Sequence, residues 1–191
     1  MDNYFLLILV FEILRYFILE LCAASLADYI SDKYNGPMPQ ERDSLIDMAQ
    51  GVRYIHSKNL VHRDIKPDNV LISVKDEVLL KISDFGCSKQ SHEGQFLLSS
   101  RISGTEIYLA PEILEIINKK QSPLGIKMIN ASDVFALGCT FVMFLTRGTH
   151  PFGRKFSIAS NILAGKSNLQ SWLTLIQFNF DCLHNEWIGL L

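Results

Sequence analysis

The stretch that decides the fold is VHRDIKPDN, residues 61–69. It matches the pattern H-R-D-x-x-x-x-N, with a carboxylate at Asp64, an amide at Asn69 and Lys66 between them. A carboxylate in this place can accept the proton of an incoming hydroxyl, an amide oxygen can ligate Mg²⁺, and a lysine can neutralise phosphate charge. A lone His-Arg-Asp is common by chance, but the whole stretch in register is not. Asp64, Lys66 and Asn69 are therefore the catalytic candidates.

Two further motifs follow in the same order along the chain. Asp84-Phe85-Gly86 supplies a second carboxylate, and Ala110-Pro111-Glu112 closes the segment after it. Asp84 and Asn69 are the predicted metal ligands, and the packing of Phe85 is predicted to set an active or inactive state. Taken singly, each Asp would more often be a solvated or capping carboxylate. The ordered set favours a catalytic site.

Arg63 and the polar segment 87–109 suggest control by phosphate. A guanidinium beside the catalytic carboxylate can pair bidentately with a phosphorylated loop residue and so order the loop. The candidate acceptors are Ser99, Ser100, Ser103 and Thr105. The alternative for any one of these serines is that the run is a soluble loop without a regulatory role.

The chain resembles protein kinase domains, and among them the kinase domain of the inositol-requiring kinase–endoribonucleases, the unfolded-protein-response sensors of the endoplasmic reticulum. The similarity runs from about residue 15 to about residue 169. The stretches that carry it are LELCAASLADYI (19–30), HRDIKPDNVLIS (62–73), ISDFGCSK (82–89), SGTEIYLAPEIL (103–114), SDVFALGC (132–139) and GTHPFG (148–153).

This resemblance implies a mainly α fold with a small β-hairpin, arranged as the hinge and C-terminal lobe of a protein kinase. No G-x-G-x-x-G loop and no V-A-I-K strand precede the hinge, so we expect the N-terminal lobe to be largely missing. We expect an apolar leader at 1–14, a partial kinase domain at 15–169 and an atypical tail at 170–191, with no ribonuclease domain.

The same resemblance implies ATP and Mg²⁺ as cofactors. Glu20 and Cys22 are expected to offer hinge backbone groups to adenine, with Leu19 as gatekeeper. Ser99, Ser100 and Ser103 would lie in an autophosphorylated loop. A protein substrate or a second copy of the chain would accept phosphate, and the parent protein would be a homodimer on the cytosolic face of the endoplasmic reticulum membrane.

Three functions remain open from the sequence. The first is a serine/threonine protein kinase, supported by Asp64, Asn69 and Asp84. The second is a catalytically incompetent fragment that acts as a binding or assembly module, supported by the missing glycine loop and lysine. The third uses the apolar residues 4–27 as a membrane anchor, although the charges of Glu12, Arg15 and Glu20 argue instead for a buried strand and a soluble chain.

Apolar spacing and turn residues predict the remaining elements. A strand is predicted at Leu14–Glu20 and a hairpin from strands at Val70–Ser73 and Val78–Ile82. Helices are predicted at Ala27–Ser31, Gln40–Ser57 and Lys155–Gly165, and a buried helix, capped by Ser132 or Asp133, at about 132–145.

Composition sets limits on partners and compartment. The net charge is -2, and Lys and Arg are scattered, so the segment lacks the basic field that nucleic-acid binding needs. The four cysteines have neither zinc-type spacing nor close pairing, which predicts reduced thiols in a cytosolic environment.

Overall fold

The computed structural model describes residues 19–92, 95–97, 102, 104–122 and 127–167. Within these ranges the chain forms α-helices joined by short antiparallel strands. The helices are α1 (Leu26–Ile30), α2 (Glu41–Ser57), α3 (Pro111–Asn118), α4 (Ala131–Leu145) and α5 (Ile158–Leu163). The strands are β1 (Ala24–Ser25), β2 (Leu60–Val61), β3 (Val70–Ser73), β4 (Leu79–Ile82), β5 (Lys89–Gln90), β6 (Gln95–Leu97) and β7 (Lys127–Ile129).

Helix α2 follows the predicted apolar spacing. Leu45, Met48, Val52 and Ile55 are all buried, so the steps of three and four residues do describe one face. This face packs against β4 and α4. The helix thereby holds the hairpin and the central helix in one core.

The predicted hairpin is confirmed, with β3 and β4 antiparallel and Val70 opposite Ile82. The expectation of a lone hairpin is incomplete, because β1 adds a third strand that pairs Ala24 with Ile72. Strand β2 also pairs with β5, and β6 with β7. Two-residue strands such as β1 and β2 are too short to leave a period in the sequence.

Helix α1 matches the predicted short helix to within one residue at each end. It begins in a capping box: the Ser25 Oγ accepts the N–H of Asp28 at 3.1 Å, and Asp28 Oδ2 accepts the N–H of Ser25 at 3.1 Å. The strand predicted just before it is wrong where it can be checked. Leu19 and Glu20 have no regular structure, and residues 14–18 lie outside the described ranges.

Helix α4 is buried nearly all round, as its composition predicts. Its cap differs from the prediction, since Asn130 precedes the helix and Ser132 and Asp133 lie inside the first turn. The Asp133 side chain instead bonds the loop after β2. At the other end, the N–H of Gly148, at a φ of 106°, bonds the carbonyl of Met143 at 2.8 Å, which closes the helix.

Helix α5 is shorter than the predicted Lys155–Gly165 segment. Cys22, Cys87 and Cys139 are free thiols, as expected, and Cys182 lies outside the described residues. Burial raises the pKa of Cys139 to about 12. Across the described ranges, no helix has both the length and the apolar character needed to span a bilayer.

Candidate active site

Asp133, in the first turn of α4, fixes the main chain of the loop that follows β2. Its Oδ2 accepts the N–H of His62 at 2.8 Å, and its Oδ1 accepts the N–H of Arg63 at 2.8 Å. Arg63 has a φ of 68°, a left-handed conformation that strains a residue other than glycine. Because the Asp133 carboxylate is only 1% exposed and binds both amides, it holds Arg63 in that conformation.

His62 is fully buried and ties this loop to the end of β4. Its Nε2 lies 2.9 Å from the carbonyl oxygen of Ser83, and its Nδ1 lies 3.3 Å from the amide nitrogen of Asp64. Since a carbonyl only accepts, the proton belongs on Nε2 and Nδ1 accepts from Asp64. The ring also meets Phe85 edge-on at 5.1 Å. His62 therefore joins the two predicted motifs.

Asp64 lies at the centre of a hydrogen-bonded cluster that contains all three predicted catalytic residues. Lys66 Nζ donates to its Oδ2 at 2.7 Å, and Asn69 Nδ2 donates to the same oxygen at 3.1 Å. Thr105 donates to its Oδ1 from the main-chain nitrogen at 3.0 Å and from Oγ1 at 2.9 Å. Lys66 also donates to Thr105 Oγ1 at 2.8 Å. The structure thus brings the predicted trio together and adds a fourth residue.

The cluster sets the charge of Asp64. Burial acts to raise its pKa, but the hydrogen bonds from Lys66, Thr105 and Asn69 outweigh burial, so the pKa lies below the ordinary value. The carboxylate is therefore ionised at neutral pH. An ionised carboxylate held in this way can orient a hydroxyl group and accept its proton.

Asn69 connects this cluster to the second motif. Its side-chain nitrogen donates to Asp64 twice, to the main-chain oxygen at 2.9 Å and to Oδ2 at 3.1 Å. Its main-chain oxygen accepts the N–H of Ser83 at 2.8 Å and the Ser83 hydroxyl at 3.0 Å. Asp84 follows Ser83 directly, so these bonds fix the main chain next to Asp84 against Asn69.

Asp84 is held loosely by comparison. It has a φ of 60°, and its Oδ1 accepts the N–H of Gly86 at 3.1 Å within its own turn. The left-handed region is accessible to Asp because a short polar side chain can bond the local backbone. The residue is exposed, and Phe85 beside it is 47% exposed. The carboxylate can therefore be reached from solvent.

The donor set at Asn69 and Asp84 fits Mg²⁺. Amide and carboxylate oxygens are the ligands that this ion prefers, and it commonly takes only one or two protein ligands beside water and substrate phosphates. In the part of the chain that the structure describes, no three His, Cys, Asp or Glu side chains converge as a metal cluster. The oxygen pair therefore suits an ion shared with a bound phosphate.

The predicted adenine-binding segment runs along the edge of the sheet. The N–H of Ala23 donates to the carbonyl of Ile72 at 2.8 Å, and the Cys22 thiol lies 4.0 Å from the main-chain oxygen of Glu20. Leu21, between these two residues, is exposed. Burial raises the pKa of Cys22, so its thiol stays protonated at neutral pH. The structure places Glu20 and Cys22 beside β3.

Arg63 carries an unused hydrogen-bonding group. Its Nε donates to the carbonyl of Cys87 at 2.6 Å, which ties the loop to the segment after Asp84. Its Nη1 is buried and has no hydrogen-bond partner among the described residues. The side chain borders a small recess that Thr105, Tyr108 and Ala136 also line. Ser99, Ser100 and Ser103, the predicted phosphate acceptors, lie outside the described residues.

Sequence reasoning missed the roles of Thr105 and Asp133. Thr105 is predicted as a phosphate acceptor, but its hydroxyl is engaged by Asp64 and Lys66. Gly104 makes this approach possible: it has a φ of 110°, and a Cβ there would lie 2.6 Å from the carbonyl oxygen of Arg63. The Gly-Thr pair before Ala110 was the available signal, whereas nothing local distinguishes Asp133 from a helix cap.

Comparison with known proteins agrees with this geometry. The family model of the protein kinase domain matches residues 11–184, so the chain belongs to the protein kinase family. Within that family it is closely related to the serine/threonine-protein kinase/endoribonucleases, and the resemblance read from the sequence is confirmed. The described fold agrees with a kinase domain.

Three relatives illustrate the relationship. The chain is 38% identical over 164 residues to the serine/threonine-protein kinase/endoribonuclease ire-1 of Caenorhabditis elegans, which covers 81% of this chain and 16% of the relative. It is 40% identical over 158 residues to the serine/threonine-protein kinase/endoribonuclease IRE2 of Homo sapiens, an alignment that covers 79% of this chain and 16% of the relative. It is 34% identical over 173 residues to ire1 of Schizosaccharomyces pombe, which is named a sensor for unfolded proteins in the ER. This alignment covers 78% of this chain and 16% of the relative. The chain therefore spans about a sixth of the length of these proteins.

Proposed function

We propose that this chain carries the phosphoryl-transfer site of a serine/threonine protein kinase, which moves the terminal phosphoryl group of ATP to a protein hydroxyl. The observation that carries the proposal is the convergence of Lys66, Asn69 and Thr105 on the Asp64 carboxylate. Phosphoryl transfer needs positioning and charge neutralisation more than covalent chemistry, and this cluster supplies both.

In this proposal each residue has a distinct task. Asp64 orients the substrate hydroxyl and takes its proton as the new O–P bond forms and the bond to ADP breaks. Lys66 neutralises charge on the transferred group. Asn69 and Asp84 would hold Mg²⁺, which neutralises the phosphate oxygens when bound. The main chain of Glu20 and Cys22 would bind adenine.

The finer architecture belongs to the same proposal. We assign residues 15–169 to the hinge and C-terminal lobe of the kinase fold, flanked by residues 1–14 and 170–191. The 191 residues contain no G-x-G-x-x-G loop and no V-A-I-K strand, which in kinases cover and grip the nucleotide phosphates. We expect the chain by itself to transfer phosphate slowly, because positioning supplies most of the catalysis.

A second candidate function follows from the lack of these two phosphate-contacting motifs in the 191 residues. With no glycine loop and no phosphate-gripping lysine, the chain could serve as a binding or assembly module that holds a nucleotide without turning it over. The two functions differ in one measurable respect: a module binds nucleotide but yields no phosphoprotein, whereas a kinase yields phosphoprotein in a reaction that needs Asp64.

We also propose how the site is regulated and what its partners are, from the chemistry of Arg63 and from the related kinase/endoribonucleases. The free Nη1 of Arg63 supports pairing with a phosphorylated residue, for which Ser99, Ser100 and Ser103 are the candidates. The phosphate acceptor would be a protein or a second copy of the chain, and the longer protein would act as a homodimer. The name of the fission-yeast relative supports a site at the endoplasmic reticulum, which we place on its cytosolic face.

Calorimetric titration of the purified chain with ATP, with and without Mg²⁺, tests the proposal. We expect Mg²⁺ to strengthen ATP binding in the wild-type chain and to have little effect in Asp84→Asn. ATP binding that is absent, or equally strong without Mg²⁺, would contradict it. Phosphate transfer that is detectable and lost in Asp64→Asn would decide for the kinase over the binding module.

A further inference from the structure

The Glu20 side chain joins the adenine-facing segment to both strands of the hairpin. Its Oε2 lies 2.6 Å from Lys81 Nζ in β4, and its Oε1 accepts a hydrogen bond from the Ser73 hydroxyl in β3. Lys81 lies opposite Leu71, two residues before Ser73, so Ser73 and Lys81 are diagonal neighbours on one face of the hairpin. One carboxylate thus bridges two strands.

The segment from Glu20 to Ser25 is therefore attached at two points. The Glu20 carboxylate anchors its start, and the ladder from Ala23 and Ala24 to Ile72 anchors its end. Cys22 lies between these anchors. A short segment fixed at both ends has little freedom to change the direction of its main-chain N–H and C=O groups, so adenine would meet groups that are already placed.

We propose that Ser73 and Lys81 are positioning residues for the adenine ring, and that they act by holding the Glu20 side chain. This inference rests on the proposed function, because it takes adenine to bind the main chain of Glu20 and Cys22. Ser73 and Lys81 reach the nucleotide only through Glu20. No step of the phosphoryl transfer involves them.

The Lys81–Glu20 pair is partly exposed, so its effect on nucleotide binding can be measured apart from an effect on the stability of the fold. Lys81 is 43% exposed and Glu20 is 32% exposed, and ion pairs of this kind contribute little to global stability. Hydrogen bonds from Lys81 and Ser73 lower the pKa of Glu20, so the carboxylate is ionised at neutral pH. Breaking the anchor should therefore leave the fold intact while loosening residues 20–22.

The test compares Lys81→Met with Lys119→Met, which breaks the exposed pair between Lys119 and Glu115 at the end of α3. The N–O distances of the two pairs are similar, 2.6 Å for Lys81–Glu20 and 2.7 Å for Lys119–Glu115. The probe is a fluorescent ADP analogue with Mg²⁺, and amide hydrogen exchange is followed at Ala23, whose N–H donates to the carbonyl of Ile72. We expect Lys81→Met and Ser73→Ala to raise the dissociation constant about 3- to 5-fold and to speed exchange at this amide. Lys81→Arg should restore both readouts.

Four outcomes bear on the proposal. Binding and exchange that change only in the hinge variants support it. A wild-type chain that binds no ADP overturns the proposed function, and this inference with it. A wild-type chain that binds ADP, with Lys81→Met no different from Lys119→Met, overturns the inference alone. Faster exchange without weaker binding shows that the anchor exists but does not position adenine, and also overturns it.

Discussion

The two aspartates of the site are held in opposite ways. Asp64 is buried, and Lys66, Asn69 and Thr105 all donate hydrogen bonds to its carboxylate. Asp84 is exposed, and its side chain accepts the N–H of Gly86, within its own turn. One carboxylate is fixed by groups up to 41 residues away in sequence, and the other depends on its own turn.

This difference corresponds to two kinds of task. A group that must orient a hydroxyl gains from being placed in advance, because the ordering cost has been met during folding. A metal ligand needs free oxygen lone pairs and room for water and phosphate around the ion. Under the proposed function, the loop that follows β2 is already ordered before substrate arrives, and Asp84 completes its contacts when Mg²⁺ and a phosphate bind.

The strongest test of this rigidity is Asp133→Asn. An amide can accept only through its one oxygen, so the N–H of His62 or of Arg63 loses its partner in a buried site. We expect a loss of about 3 kcal/mol in the free energy of unfolding, measured by urea denaturation. Asp76→Asn, at an exposed position in the β3–β4 turn, is the control. Equal stability of the two variants would break the account of a loop fixed by α4.

Gly104→Ala tests the contact between the main chain at Gly104–Thr105 and the loop that contains Arg63 and Asp64. A Cβ at residue 104 would lie 2.6 Å from the carbonyl oxygen of Arg63, at a φ of 110°. We expect a loss of about 2 kcal/mol, because Thr105 can no longer approach Asp64 without strain. Gly138→Ala in α4, where a Cβ meets nothing within 4 Å, is the matched control. It should be neutral or stabilising by up to about 1 kcal/mol.

His150 extends the fixed region beneath Thr105. It is 5% exposed, its ring meets Tyr108 edge-on at 5.8 Å, and its Nδ1 accepts the N–H of Phe152 at 3.2 Å. Tyr108 ends the 3₁₀ turn Glu106–Tyr108 that follows Thr105. His150 thus supports the turn next to Thr105, whose hydroxyl donates a hydrogen bond to Asp64.

Burial lowers the pKa of His150 to about 4 from an ordinary 6.5. Between these values the unfolded chain binds a proton that the folded chain does not, so the free energy of unfolding falls as pH drops from 6.5 to 4. We expect His150 to lower the free energy of unfolding by about 2 kcal/mol over this pH range. The contribution is measured at each pH as the free energy of unfolding of the wild type minus that of His150→Phe. His92→Phe, at an exposed position, should keep the wild-type slope. A His150→Phe profile parallel to wild type would count against a buried neutral imidazole.

The smallest expected effect contrasts the aspartates directly. Asp64→Asn should cost about 1 kcal/mol of stability, because Lys66 loses its anionic partner. Asp84→Asn should change stability by less than about 0.5 kcal/mol, since Asn also tolerates a positive φ. Thermal unfolding of both variants without nucleotide measures the difference. A larger loss in Asp84→Asn would reverse the comparison.

The parts of the fold that the sequence predicts are those with a regular local pattern. Helix α2 and the pair β3–β4 are long enough for their periods to appear, and both were placed correctly to within one residue. Strand β1 could not be predicted, because its two residues pair only through the register with Ile72 and Leu71. Long-range pairing of this kind has no local signature.

The site shows the same division. The spacing of Asp64, Lys66 and Asn69 predicted a cluster, and the structure brings their side chains together. The position of Asp133 depends on a contact between residues 71 positions apart, so its local context suggested only a helix cap. The sequence identifies the groups with chemical roles, and tertiary packing determines which other groups hold them in place.

The most direct test of the central claim is a titration of the ADP-bound chain with Mn²⁺, a stand-in for Mg²⁺ whose free form is counted by electron paramagnetic resonance. The account predicts one bound Mn²⁺ per ADP, weakened at least about tenfold by Asn69→Ala and by Asp84→Asn. Lys119→Met should bind as tightly as wild type. Equal Mn²⁺ affinity in wild type, Asn69→Ala and Asp84→Asn would contradict a metal site at these two residues and, with it, the proposed phosphoryl-transfer centre.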